Sequence, residues 1–328
     1  LLMLFPAACT LPMPAPLSSP VISESDLAEM GDLSPAVEYD LGEATVIQER
    51  FAEDSLFYHM PVRLNGLIAV PRTDGPHPVV VVLHGTHPGC PIPDGDMVDR
   101  WPCDPAAEQP NYRGFEYLVR RLADAGHVAL SININAENTF GFGEPTAGER
   151  LQQLLDLHLY ALAVASDGGA NDFGLPLAGQ ADMQRLTLMG HSRGGGSAHT
   201  YAHSGMGAYG DAVDGLLLIA ATPMADISAG SRIPLAAILP ACDADITEQD
   251  GQHFYEAARL APEQTAWATS AWLEQVNHNH FNTILPTDRL KADWRPECDP
   301  LSDAEAQRDF LSAYAVDFLT TLYSADPA

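Results

Sequence analysis

Arg185-Leu186-Thr187-Leu188-Met189-Gly190-His191-Ser192-Arg193-Gly194 is a short apolar run that passes directly into glycine, histidine and serine. Residues 185–189 have the length and content of a β-strand, and Gly195-Gly196-Ser197-Ala198 supply small residues for a closely packed helix start. Ser192 therefore stands at the apex of a predicted strand-to-helix turn. Glycines two positions either side of it suit a turn that leaves little room for Cβ atoms. The string matches G-x-S-x-G, the pattern in which a strained turn presents serine as a nucleophile. Short glycine-serine strings arise by chance, so the flanking strand and helix carry the weight of the reading.

Upstream, Val79-Val80-Val81-Val82-Leu83 is a continuous, mostly β-branched run of the kind found in a strand buried on both faces, and it stops at His84-Gly85-Thr86. A helix over residues 117–125 follows, with Leu118 and Leu122 on one face and Gly126 closing it, then a strand over 127–132. A second helix opens near Gly148, with Glu149 in its first turn and Leu151, Leu154, Leu155, His158 and Leu162 at helical spacing. His158 on that stripe reads as a core histidine. Downstream, residues 216–220 and 235–239 are further strand candidates. Nearer the N-terminus, 46–48 and 62–70 read as antiparallel edge strands, the second carrying an Asn65-Gly66 signal for a hairpin turn. Strands alternating with helices predict an α/β fold, with a mostly parallel central sheet and helices on both faces.

A serine hydroxyl needs a base to take its proton and a carboxylate to orient that base. In folds that use this elbow the chain order is serine, acid, histidine. Asp243 follows the strand candidate 235–239, and Asp245 competes with it. Asn277-His278-Asn279-His280-Phe281-Asn282-Thr283 offers two histidines after the acid. If that segment is extended, His278 and His280 share a face, and geometry does not separate them. An oxyanion hole needs two backbone N–H groups, expected from Arg193, after the nucleophile, and from Thr86, in the loop after the central strand. His84 is read as a structural loop residue. Trp101, Tyr112, Phe140 and Phe142 lie in loops that either wall the site or pack in the core.

The chain of 328 residues is 46% apolar, enough for a full core. Acidic residues outnumber basic ones 44 to 16, giving a net charge of −28, which excludes nucleic acid as a partner. Such acidity fits either a salt-adapted protein or a solubilising surface with little lysine, Lys291 being the single one. Residues 1–20 lack charge and run from apolar to proline-rich, which reads as a signal-peptide remnant and linker before one domain over 21–328. Pro6-Ala7-Ala8-Cys9 resembles a bacterial lipobox apart from Pro6, so Cys9 is a candidate lipid anchor. A secreted or periplasmic protein is expected, with a membrane-anchored lipoprotein as the alternative. In that setting Cys90 and Cys103 form a local bridge across one short loop. Cys242, beside the candidate acid, and Cys298, beyond the candidate histidine, form a second. The acidic clusters Asp94-Gly95-Asp96 and 243–250 lack EF-hand spacing, and no metal or other cofactor is expected.

With these residues placed, the chain resembles the α/β-hydrolase superfamily over nearly everything after the linker. The resemblance is to its esterase branch of dienelactone hydrolase-like, chlorophyllase-like and cutinase-like polyesterase families. His191-Ser192-Arg193-Gly194-Gly195 is similar to the chlorophyllase elbow, and Gly194-Gly195-Gly196 to that of the polyesterases. Residues 239–245, Gly251-Gln252-His253-Phe254-Tyr255 and residues 277–283 are similar to a group of bacterial secreted hydrolases. That group often has glutamate where this chain has Gly196, a departure from its pattern, so no shared substrate preference is carried over from it. The resemblance favours Asp243, followed three positions later by aliphatic Ile246, over Asp245, and His278 over His280. It implies an ester substrate, an acyl-enzyme on Ser192, and activity as a carboxylesterase, lipase or polyesterase. Amidase, peptidase or thioesterase chemistry with the same triad, and a catalytically silent binding protein, are the rival readings. A monomer is expected.

Overall fold

The computed structural model describes residues 34–145, 148–227, 232–288 and 295–324. Segment 1–20, with Cys9, and Lys291 lie outside them. One eight-stranded sheet organises the described chain. Its strands are β1 (Val37–Ile47), β2 (His59–Ala69), β3 (His77–Leu83), β4 (Val128–Ile132), β5 (Ala181–His191), β6 (Val213–Ile219), β7 (Leu235–Cys242) and β8 (Ala268–Asn277). The order is β1-β2-β4-β3-β5-β6-β7-β8. Strands β3 to β8 pair in parallel, while β2 joins both β1 and β4 antiparallel.

The helices longer than two turns among the described residues are α1 (Glu116–Asp124), α2 (Glu149–Ser166), α3 (Arg193–Ser204), α4 (Gln252–Leu260) and α5 (Ala304–Tyr323). They divide between the two faces because consecutive strand residues point to opposite sides. Val79, Val81 and Leu83 pack in one core with Leu151, Leu155 and Leu159 of α2, Tyr201 of α3 and Phe254 of α4. Val80 and Val82 pack in the other with Leu118 and Leu122 of α1 and Leu311, Phe318 and Leu319 of α5. All five residues of 79–83 have no exposed surface. At roughly 1.5–3 kcal/mol for each fully buried aliphatic side chain, this strand anchors both cores. The expected α/β architecture is thus present, and His158 is a buried core residue whose Nδ1 lies 2.9 Å from the Tyr39 hydroxyl.

The structure corrects the reading of Asn65-Gly66 as a turn. Strand β2 runs straight through both residues, and Gly66 pairs with Tyr39 on one side and Ile132 on the other. A Cβ there would stand 2.5 Å from the Ser131 carbonyl and 2.8 Å from the Tyr39 hydroxyl. The glycine serves close approach between strands.

After β3 the chain crosses to β4 on one side, and after β5 it crosses to β6 on the other. The carboxyl ends of these two adjacent strands therefore border a crevice, the usual ligand position in an open α/β sheet.

Candidate active site

Four loops meet above the carboxyl ends of the parallel strands. Ser192 follows β5, Thr86 lies beyond β3, Asp243 follows β7 and His278 follows β8. Ser192 has φ 55° and ψ −129°, a conformation rarely tolerated by a residue with a side chain. Its backbone is held on both sides, its N–H donating to the Ile219 carbonyl at 2.9 Å and its carbonyl accepting from Gly195 at 3.0 Å. The glycines of the elbow are required by contact. A Cβ on Gly190 would collide with the backbone of Gly194 and Gly195, and one on Gly194 with the carbonyls of Leu83 and His84. A Cβ on Gly85 would stand 2.7 Å from the Ser192 Cβ. One on Gly196 would strike the Thr222 carbonyl, so this backbone has no room for the glutamate of the resembled group.

His278 is fully buried, and its Nδ1 lies 2.7 Å from Asp243 Oδ2. A carboxylate only accepts, so Nδ1 carries the proton and Nε2 of the neutral ring is the lone-pair nitrogen. That Nε2 is buried and has no hydrogen-bond partner. Asp243 is itself fixed, Oδ1 accepting from the amides of Asp245 at 2.9 Å and Ile246 at 2.5 Å. Burial lowers the pKa of His278, but the hydrogen bond to Asp243 and the charges of Asp243, Asp245 and Asp288 outweigh it, leaving the group above its ordinary value. The two acid candidates are thus told apart: Asp243 orients the ring, whereas Asp245 places Oδ2 3.5 Å from Nε2 on the other side.

The two histidines do not share a face, which corrects the extended reading of 277–283. Strand β8 ends at Asn277, and a single helical turn, Asn279–Phe281, follows. The turn sends His278 inward and His280 to the Thr287 hydroxyl at 2.8 Å. Both loops are cross-braced. Asp288 accepts from the amides of Ala244 and Asn279, Gln307 of α5 bonds both backbone groups of Asn277, and Cys242–Cys298 ties the acid loop to the chain beyond the histidine. The other expected disulfide, Cys90–Cys103, is also formed.

Arg193 directly follows the serine, and Thr86 follows Gly85, where an added Cβ would stand 2.7 Å from the Ser192 Cβ. Arg193 opens α3, so its amide is among the first-turn N–H groups that lack an intrahelical acceptor. The Thr86 loop is set by side chains. The Thr86 hydroxyl donates to Asn138 Oδ1 at 2.8 Å, and Asn138 Nδ2 donates to the Gly85 carbonyl at 3.3 Å. His84 is structural, one nitrogen 2.8 Å from the Gly85 carbonyl and the other accepting from the Ile134 amide at 3.0 Å. Burial pushes its pKa down to about 3.

Sequence reading missed two histidines. His191 Nε2 donates to the His278 carbonyl at 3.0 Å, leaving Nδ1 buried without a partner. Burial, then the His278 and His87 rings, hold its pKa well below the usual value. His87 Nε2 is also buried and unpartnered, and burial brings its pKa to about 4. The x in G-x-S-x-G carried the signal for His191, while nothing marked His87. Beside Thr86 opens a recess of about 110 Å³ lined by His87, Ile92, Met97, Val98, Asn138 and Phe140, among others. Of the four loop aromatics considered, only Phe140 lines it. Trp101 donates to the Pro61 carbonyl in the core, Tyr112 is buried near Ser131, and Phe142 packs on Phe57.

No protein-family model and no curated protein sequence matches the chain. Solved structures do. One is esterase 2 of Thermogutta terrifontis phosphoramylated by tabun, 11% identical at TM-score 0.51, with 86% of this chain and 96% of that one covered. A sugar hydrolase from Lactococcus lactis is 11% identical at TM-score 0.50, with 85% and 97% covered. An acylaminoacyl peptidase from Pyrococcus horikoshii is 14% identical at TM-score 0.52, with 92% of this chain and 44% of that one covered. At such identities the likeness shows the fold, which is the α/β-hydrolase fold.

Proposed function

We propose that the protein is a serine hydrolase that cleaves carboxylic esters by acyl transfer, with Ser192, His278 and Asp243 as nucleophile, base and orienting acid. The observation that carries this reading is the His278 ring, fixed through Nδ1 by Asp243 at 2.7 Å and left with a buried, unpartnered Nε2, in a fold that also presents Ser192 on a strained turn at the carboxyl ends of the strands. Nε2 removes the Ser192 proton as Oγ attacks the ester carbonyl. The oxyanion is held by the Thr86 and Arg193 amides, and the resulting imidazolium is stabilised by Asp243. Nε2 then protonates the leaving alcohol, and water, deprotonated by the same nitrogen, releases the acid. The recess of about 110 Å³ beside Thr86 is well below the roughly 300–1,000 Å³ that enclose a drug-sized ligand, which favours a short acyl chain. An export route fits the two disulfides, and among the described residues no helix is long and apolar enough to cross a membrane.

Hydrolysis of p-nitrophenyl esters of increasing acyl length, by wild type and Ser192→Ala, tests the proposal. Loss of about 10⁵-fold or more in kcat is expected, with short esters preferred. Equal rates in the two proteins would remove Ser192 from the mechanism. The structural neighbour described as an esterase phosphoramylated by tabun supports a fluorophosphonate probe as a second assay of Ser192.

A further inference from the structure

Asp245 stands at the reacting end of His278, with no cationic partner among the described residues. Its Oδ2 is 3.5 Å from Nε2, and its side chain is 57% exposed, so the carboxylate is open to solvent. A neutral ring offers Nε2 as a lone pair, so the two atoms cannot share a hydrogen there, and Nε2 has no other partner. Among the described residues no arginine pairs with Asp245. Arg193, the cation adjacent to the serine, is drawn instead over the Phe140 ring, 5.7 Å from its centroid, on the Thr86 side. The site is therefore uneven in charge: apolar with an arginine toward the oxyanion loop, anionic toward the acid loop.

That unevenness bears on one half of the substrate. The atom that Nε2 protonates is the leaving oxygen, which must come within hydrogen-bond reach of it, about 3 Å. With Asp245 Oδ2 3.5 Å from that nitrogen, a substituent two or three bonds out from this oxygen comes within reach of the carboxylate. We propose that Asp245 is a specificity-determining residue that selects esters whose leaving alcohol carries a positive charge, such as amino-alcohol or quaternary ammonium alcohol esters. The inference rests on the ester-hydrolase reading above. An anionic leaving group is disfavoured at the same place, since it would meet the Asp245 carboxylate.

The test compares acetylcholine with its neutral carbon isostere, 3,3-dimethylbutyl acetate, on wild type, Asp245→Asn and Glu263→Gln. Glu263 is an exposed acid before β8, at the opposite end of the sheet, and its variant reports the field of the whole acidic molecule. The ratio of kcat/KM values, cation over neutral, is expected to be about tenfold in wild type at low salt, to fall to near one in Asp245→Asn, and to persist in Glu263→Gln. A ratio that is the same in wild type and Asp245→Asn overturns the proposal, as does an equal fall in both variants. Choline slowing fluorophosphonate labelling of Ser192 in wild type but not in Asp245→Asn reads the same preference without turnover. Hydrolysis of the neutral ester with no cation preference sinks this inference alone. Absence of both turnover and labelling removes the acyl-transfer reading and this inference with it.

Discussion

Two buried polar clusters lie within this fold, and they are built to opposite rules. At the start of α2, Arg150 spends all five of its N–H donors: on Gln48 Oε1, on the carbonyls of Ala136 and Thr139, and on those of Phe142 and Gly143, at 2.8–3.1 Å. Its neighbour Glu137, fully buried, accepts from the amides of Gly148 and Leu151 and from the Ser197 hydroxyl. Around Ser192, by contrast, His278 Nε2, His191 Nδ1 and His87 Nε2 are buried with no partner. Under the proposed function the first cluster holds shape and the second receives a group that arrives from outside. The closed cluster supports the open one. Arg150 clamps the carbonyls on either side of Asn138 and Phe140, the first setting the Thr86 loop and the second walling the recess.

If the difference is functional, the two clusters fail differently when cut. Asp243→Asn, which puts the wrong tautomer on His278, is expected to lower kcat about 10⁴-fold while the protein still unfolds near the wild-type denaturant midpoint. An unfolding midpoint displaced as far as in an Arg150 variant would erase the distinction. Arg150→Ala, which leaves Gln48 Oε1 and four carbonyls without their donor and removes the charge near Glu137, is expected to cost about 3–5 kcal/mol in urea unfolding. A loss below about 1 kcal/mol would mean that the closed cluster is dispensable. The smallest effect sharpens the comparison. His278 must be neutral to act, and its pKa lies above the ordinary value, so kcat/KM rises with pH along a limb centred above about 6.5. Asp245→Asn removes one of the charges that raise it, and the limb is expected to move by a fraction of a unit to lower pH. No movement, or movement upward, in a pH-rate profile would contradict the electrostatic account.

The central strand, the elbow and the order of the three candidate residues were legible because each rests on local pattern: a run of valines, glycines spaced about a serine, an acid after a strand. Strand β8 was not. Its burial falls mainly at Val276 and Asn277, and an edge strand with most of its length partly or fully exposed has no apolar alternation to read. Helix α5 did carry a signal, with Asp303 as its N-cap, Glu305 in the first turn and Leu311, Ala315, Phe318 and Leu319 at helical spacing, and it was overlooked. Asn65-Gly66 misled because glycine's use between strands is set by a neighbour, Ser131, far away in sequence. The choice between His278 and His280 depended on where β8 stops, and local pattern does not fix an element boundary.

The Cys242–Cys298 bridge has a dynamic consequence. It begins one residue before Asp243 and closes around the segment that holds His278, while Asp288 spans the two loops from within that ring. Opening either loop alone would strain the other, so their backbone amides should exchange with deuterium as one cooperative unit, released at a single free energy. Reduction of this bridge should split that unit in two, with the amides around Ala244 and Asn279 then exchanging at separate rates.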